Sequence, residues 1–216
     1  MNQNSYPGRE YLKALRDAHL RVDVLNIGSF PVISSSEEKR CGGLWEPPAE
    51  QELREYFTFY HFESLKSESL FNFLEELKYD IGIQGGTGIL SKDVLNKFSI
   101  GILNFHPGDL PLYRGCSAPE WQLIEFNPVI STCHFVDQGI DTGPIVGKRE
   151  LDVIKDNYEA FRASVYPETA KFVVEIIKKV KSEGVLVSEK QDDSKARYRP
   201  YLGDDVILEL KRNWDK

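Results

Sequence analysis

Residues Ile102 to His106 form an apolar run that is interrupted by one carboxamide, Asn104, and closed by one imidazole, His106. Pro107 and Gly108 end the run and open a loop that continues through Asp109, Leu110, Pro111, Leu112, Tyr113, Arg114 and Gly115. A run this apolar and this short, bounded by turn residues, reads as a buried strand. Side chains two apart on a strand share a face. Leu103 and Phe105 therefore go to one side, and Asn104 and His106 to the other. A polar pair on a strand that is otherwise committed to a core must meet something that satisfies it.

The residue types carry chemistry. A carboxamide is a neutral hydrogen-bond donor, and an imidazole exchanges protons near neutral pH. Asp141, in the later loop Ile140-Asp141-Thr142-Gly143-Pro144, supplies a charge able to orient that imidazole. An amide donor, a proton carrier and a carboxylate suit acyl transfer to an amine, with neither a metal nor a covalent enzyme intermediate. Each residue alone reads as structural: Asn104 as a strand-end amide, His106 as a satisfied core histidine. Their combination is what points to chemistry.

The surroundings of this motif alternate strands and helices. Helical spacing runs over 8–19, strand patterning over 20–27 and 57–62, a helix over 67–77, and a strand over 79–83 that ends in a Gly-rich turn. A short helix over 91–98 leads to the strand at 99–105. Beyond the loop come a helix over 118–126, strands over 128–136 and 145–151, and a helix over 156–183 that Pro167 is expected to break or kink. An extended piece at 185–189 and a helix over 204–213 complete the chain, while 29–50 has no steady period and reads as an irregular connection with a short helix near its end. This order predicts an α/β fold with an open, mostly parallel twisted sheet and helices on both faces. In such sheets ligands bind beyond the carboxyl ends of the strands, where Asn104 and His106 fall.

Composition narrows the function classes. The net charge of −7 argues against a broad phosphate-binding surface and so against a nucleic-acid partner. No apolar run approaches the ~20 residues needed to span a bilayer, and the start lacks the cationic flank and apolar core of a signal peptide. Cys41, Cys116 and Cys133 form an odd, unpatterned set suited to reduced thiols, so a cytoplasmic protein is expected. Cys133 and His134 are adjacent on a strand, hence on opposite faces, and no ligand set has zinc spacing, so no metal is expected. His134 reads as pocket-lining.

The linked motifs Asn104-Phe105-His106-Pro107 and Asp141-Thr142-Gly143, with Gly88-Ile89-Leu90-Ser91 before them and Tyr166-Pro167 after them, resemble the folate-dependent formyltransferase family over roughly residues 80–182. The resemblance implies a Rossmann-like formyltransferase fold, 10-formyltetrahydrofolate as formyl donor, and Asn104, His106 and Asp141 as the catalytic trio. It implies a catalytic domain over 1–182 with a short extension, 183–216, packed on it. The folate pocket falls on Gly86, Thr87, Gly88, Ile89 and Leu90, and on Val136, Gly139, Ile140 and Asp141, with backbone groups matching the pterin edge and Ile89 and Leu90 as apolar walls.

Two departures from the family stand out. The family's buried first strand is expected to be missing here, or supplied from elsewhere, because the chain opens on the loop and helix at Ser5-Tyr6-Pro7-Gly8. Leu112 replaces the usual Lys before Tyr113, which leaves Arg114 as a cation for an anionic group or as a solvated side chain. The acceptor is expected to be a small-molecule amine, an amino-sugar nucleotide or similar, and a homodimer is compatible with the sequence. The alternatives are hydrolysis of formyltetrahydrofolate and a non-catalytic folate-binding subunit. Deformylases typically carry a second His where Pro107 stands and an N-terminal regulatory domain; neither is read in this sequence, so transfer is expected over hydrolysis.

Overall fold

The computed structural model describes residues 1, 5–28 and 40–214. Helix α1, Tyr6–Asp17, is started by Ser5, whose Oγ accepts from the amide N–H of Gly8 at 3.1 Å, and by Pro7 in its first turn. Strand β1, Asp23–Ile27, pairs in parallel with β2, Thr58–Phe62, and a short helix α2, Glu50–Arg54, leads into β2. Helix α3, Glu68–Leu77, and strand β3, Ile81–Ile83, follow. Helix α4, Lys92–Leu95, begins on a Ser91 cap and precedes β4, Gly101–His106.

β3 pairs in parallel with β4, and β4 pairs antiparallel with β6, Ile130–Phe135, which pairs antiparallel with β7, Ile145–Glu150. Between β4 and β6 lie a two-residue strand β5, Arg114–Gly115, and helix α5, Ala118–Ile124. The sheet is thus parallel in its first half and antiparallel in its second, the α/β arrangement that the element order predicts. The expectation for residues 29–39 lies outside the described residues.

Helices cover both faces of this sheet. Tyr11, Leu12 and Leu15 of α1 meet Val24, Leu103, Phe105 and Cys133, together with Phe172, Val173, Ile176 and Ile177 of the long helix α6, Tyr158–Glu183. On the opposite face Leu70 and Leu74 of α3 pack on Ile27, while Val94 of α4 and Leu90 pack on Ile102. The period-two reading of β4 holds: Leu103 and Phe105 face α1 and α6, and Ile102 faces the other layer.

Pro167 does not break α6, which runs for 26 residues from an Asn157 cap to Gly184. Buried side chains on both sides of the proline, Val165 before it and Thr169, Ala170 and Phe172 after it, tie both halves to the core. The packing outweighs the single backbone hydrogen bond that proline removes.

After α6 the chain returns to the sheet. Glu189 bridges Ile145 through paired backbone hydrogen bonds, and β8, Tyr198–Arg199, pairs in parallel with β5. Helix α7, Asp204–Arg212, adds Ile207 to a second cluster with Val129, Phe161 and Val165. A buried charge cluster joins these parts. Glu120 on α5, with no exposed surface, lies 3.0 Å from Arg40 and 3.4 Å from Arg162, and accepts from the Tyr158 hydroxyl. Arg40 also donates to the carbonyl of Leu202 at 2.7 Å.

Leu15 is 1% exposed at the junction of α1, α6 and the sheet. Leu15→Ala is expected to lower stability by about 3 kcal/mol, read as a fall in the urea midpoint at unchanged slope. A loss under about 1 kcal/mol would contradict this packing.

Candidate functional site

The site lies where β4 ends. Asn104 pairs across the sheet with His134, and His106 with Thr132. Asn104 Nδ2 donates to His134 Nε2 at 3.2 Å. The other ring nitrogen of His134, Nδ1, lies 2.8 Å from the carbonyl of Phe135. A carbonyl only accepts, so Nδ1 carries the proton and Nε2 is free to receive the amide. His134 thereby fixes which way the Asn104 amide points, and it leaves the second N–H of that amide unspent.

His106 is buried, and its Nε2 lies 2.6 Å from the carbonyl of Tyr113. By the same rule Nε2 holds the proton, and Nδ1 faces Asp141 Oδ2 at 3.5 Å. Burial, countered in part by Asp141 and Tyr113, pulls the His106 pKa below that of a free histidine. The ring is therefore neutral at pH 7, with its open nitrogen turned toward a carboxylate. The loop can turn beneath this ring because residue 108 is glycine: a Cβ there would fall 2.5 Å from His106 Nε2 and 2.7 Å from Ala118 Cβ.

Asp141 sits in the left-handed region, with φ of 55°, and its side chain is largely buried between the two imidazoles. Oδ2 accepts from the amide N–H of Gly115 at 2.9 Å, and Oδ1 is 3.7 Å from His134 Nε2, beyond hydrogen-bonding distance. Burial raises the proton affinity of this carboxyl, but His106, His134 and the Gly115 amide together reverse that and bring its pKa to about 2. Its contribution to stability is complete above the unfolded value of about 3.9 and is lost as pH falls toward about 2. The tight return of this loop depends on Gly143, where a Cβ would fall 1.8 Å from the Phe135 carbonyl.

The segment after α6 holds this loop from behind. Gln191, buried, donates through Nε2 to the carbonyls of Asp141 and Gly143 at 2.9 and 2.7 Å. Its Oε1 accepts from Arg114 Nε and Nη2 at 3.1 and 2.8 Å. Arg114 is not the solvated side chain that one sequence reading allowed. It is buried, and the anion it meets is Asp193 of its own chain at 2.7 Å. Sequence reasoning missed Gln191. No spacing rule links it to Asp141, and a lone glutamine in a polar stretch carries no signal.

The two loops assigned to a folate pocket come together beside β4. Gln84 Nε2 donates to Thr87 Oγ1 at 3.2 Å and to the Gly88 carbonyl, shaping the first loop. Leu90 is turned inward and packs with Val94, Ile102 and Val136, which joins the first loop to the second. Ile89 and Ile140 stand out from the two loops, both more than half exposed. In the second loop Asp137 Oδ1 accepts from the Gly139 amide at 3.0 Å and from the Thr142 hydroxyl at 2.5 Å. Among the described residues no group of three His, Cys, Asp or Glu side chains is arranged to hold a metal ion.

A family model described as formyl transferase matches residues 7–181. A methionyl-tRNA formyltransferase from Ruminiclostridium cellulolyticum is 32% identical over 157 residues, which are 70% of this chain and 48% of that protein. The chain spans about half the length of such curated relatives. The formyltransferase PseJ from Anoxybacillus kamchatkensis, solved with UDP-4,6-dideoxy-4-formamido-L-AltNAc and tetrahydrofolate, superposes with a TM-score of 0.57 at 20% identity, over 90% of this chain and 94% of that one. Glycinamide ribonucleotide transformylase 1 from Symbiobacterium toebii gives a TM-score of 0.60 at 22% identity, over 89% and 92%. These likenesses establish the fold.

Gln191→Leu removes both hydrogen bonds donated to the Asp141 loop and the Oε1 that accepts from Arg114. It is expected to cost about 3 kcal/mol in urea unfolding, since buried polar groups are left unpaired. A loss below about 1 kcal/mol would show that the loop does not lean on this side chain.

Proposed function

The chain belongs to the formyl transferase family, and from that premise we propose that it moves the formyl group of 10-formyltetrahydrofolate to the primary amine of a small molecule. The observation that carries this reading is the meeting of Asn104, His106 and Asp141 at the end of β4, with an unspent amide N–H and an imidazole nitrogen facing a buried carboxylate.

The pterin lies against the backbone of residues 86–90 and 136–141, with Ile89 and Ile140 as apolar walls. The acceptor amine adds to the formyl carbon, and the carbonyl π electrons move to oxygen. The free Nδ2–H of Asn104 donates to that developing oxyanion. His106 takes the amine's proton at Nδ1, because its Nε2 proton is engaged by Tyr113. Asp141 stabilises the imidazolium so formed. Collapse of the tetrahedral intermediate breaks the bond to folate N10, and the proton passes from His106 to that nitrogen. Donor and acceptor exchange one formyl group, and the protein is returned unchanged.

The acceptor class we favour is an amino-sugar nucleotide or a similar small amine. The acidic net charge gives a tRNA no obvious counter-surface, and PseJ, solved with a sugar nucleotide, matches over 94% of its own length. The test is release of tetrahydrofolate from 10-formyltetrahydrofolate with an amino-sugar nucleotide, glycinamide ribonucleotide or methionyl-tRNA, and without any amine. Release that requires the amino-sugar nucleotide supports this reading. Release that requires another amine reassigns the acceptor, and amine-independent release makes the protein a deformylase.

Asn104→Ala is expected to lower kcat by roughly 10²–10³-fold with folate affinity nearly unchanged, as stopped-time turnover and fluorescence titration would read. Equal losses in both would remove its oxyanion role. The acid limb of kcat/KM is expected below pH 6.5, because burial depresses the His106 pKa and the ring must be neutral to accept a proton. Asp141 raises that pKa, so Asp141→Asn moves the limb further toward acid while slowing turnover. A limb that stays put or moves toward base refutes the pairing.

A further inference from the structure

Gln122 lies on α5 and has no exposed surface. Its side-chain amide offers two N–H donors and two lone pairs, and backbone groups take them all. Oε1 accepts from the amide N–H of Asp109 at 3.0 Å and of Ile130 at 3.1 Å. Nε2 donates to the carbonyls of Pro107 and Ala118, each at 3.2 Å. An apolar side chain would fill the same volume without needing partners, so the informative observation is which groups this amide meets. Pro107 and Asp109 belong to the turn that follows His106, and Ile130 opens β6, the strand paired with β4.

The path from that amide to the imidazole is short. Thr132 on β6 takes the alternate residues of the same turn: its hydroxyl donates to the Gly108 carbonyl at 2.7 Å and accepts from the Leu110 amide at 3.2 Å. Residues 107–110 are thus gripped in turn from α5 and from β6. The Asp109 carbonyl, presented by this grip, accepts from the Tyr113 amide at 3.1 Å. The Tyr113 carbonyl then meets His106 Nε2 at 2.6 Å and sets the ring proton there. Nδ1 is left to face Asp141.

We propose that Gln122 is a positioning residue for His106, holding the turn after β4 so that the Tyr113 carbonyl selects the imidazole tautomer protonated at Nε2. The catalytic part of this inference rests on the formyl-transfer reading, in which that tautomer leaves Nδ1 open to take the amine's proton. Without the Gln122 amide, buried groups of Pro107 and Asp109 lose their partners, and the turn relaxes to recover them. The Tyr113 carbonyl then leaves Nε2, and the ring proton moves to Nδ1, where Asp141 Oδ2 accepts it. The ring is still neutral, but its open nitrogen is turned away from the carboxylate. Gln191 grips the Asp141 loop from the other side, so two buried glutamines act on the two members of one acid–base pair.

The test reads the His106 ring nitrogens by heteronuclear NMR in the 216-residue chain and in Gln122→Met, which fills the same space with neither a strong donor nor a strong acceptor. The unchanged chain is expected to show a protonated Nε2 and a bare Nδ1. In Gln122→Met the proton is expected to be shared between the two nitrogens or moved to Nδ1. Its kcat is expected to fall roughly 10²-fold, the cost of a small misplacement, with folate affinity nearly unchanged. An unchanged tautomer in folded Gln122→Met overturns the proposal, whatever the loss of stability, and leaves the glutamine a packing role alone. A changed tautomer in Gln122→Met, beside an unchanged chain that transfers formyl to no amine, supports the positioning role and removes the transfer reading. Should Gln122→Met not fold, Asp109 supplies a second pair of variants. Asp109→Pro deletes the N–H that Gln122 accepts, whereas Asp109→Ala keeps it and loses only the carboxylate paired with Lys148. The tautomer is expected to change in Asp109→Pro alone. No change in Asp109→Pro, or the same change in Asp109→Ala, overturns the proposal.

Discussion

The arrangement depends on one buried carboxylate. Asp141 is surrounded by two imidazoles and one backbone amide, and it stays ionised because those partners outweigh the cost of burial. Keeping it there constrains much of the chain. Its backbone adopts a left-handed turn, Gly143 must lack a side chain, and Gly115 must present its N–H. Gly115 belongs to β5, which exists only as a pairing with β8, and β8 comes from the far end of the chain. A charge at the site thus gives the segment after α6 its reason to fold back.

The same logic explains Arg114 and Gln191. A buried guanidinium needs its hydrogen bonds met, and Gln191 and Asp193 meet them. Gln191 then spends its amide on the two carbonyls of the Asp141 loop. Arg114, Gln191 and Asp141 form one connected network, in which a defect at one member leaves another unpaired. The region that sequence patterning treats as a polar appendage is, in packing terms, the back wall of the site.

How much of this was legible in the sequence follows from range. The alternation on β4 is local, so the faces of Leu103, Phe105, Asn104 and His106 could be read directly, as could the helix starting at Ser91, while the first helix, read over 8–19, begins two residues earlier at Tyr6 on its Ser5 cap. The fate of Pro167 was not legible, because packing on either side of it decides whether α6 breaks. Nor was that of Arg114, whose partners lie nearly eighty residues on. The Asn104–His106–Asp141 meeting was inferred from motifs, since spacing alone does not bring residue 141 to residue 106. The antiparallel pairing of β4 with β6 brings His134 opposite Asn104, and the turn after β6 delivers Asp141.

The site divides into a rigid half and an open half. The acid–base groups are buried and fixed by hydrogen bonds that leave each one a single free atom: one N–H on Asn104 and Nδ1 on His106. The loops beside them expose Ile89 and Ile140 to solvent and meet each other through Leu90 and Val136. Proton transfer requires a ring whose pKa is set by a fixed balance of burial and charge, so it belongs in the rigid half. Recognition of a flat, partly apolar ligand gains from surface that is covered only on binding, so it belongs in the open half. Changes to the exposed isoleucines should therefore act on affinity and leave the protonation balance intact, whereas changes behind Asp141 should act on that balance first. The boundary between the halves runs through Asp141, whose backbone lies in the open loop and whose carboxylate lies in the core.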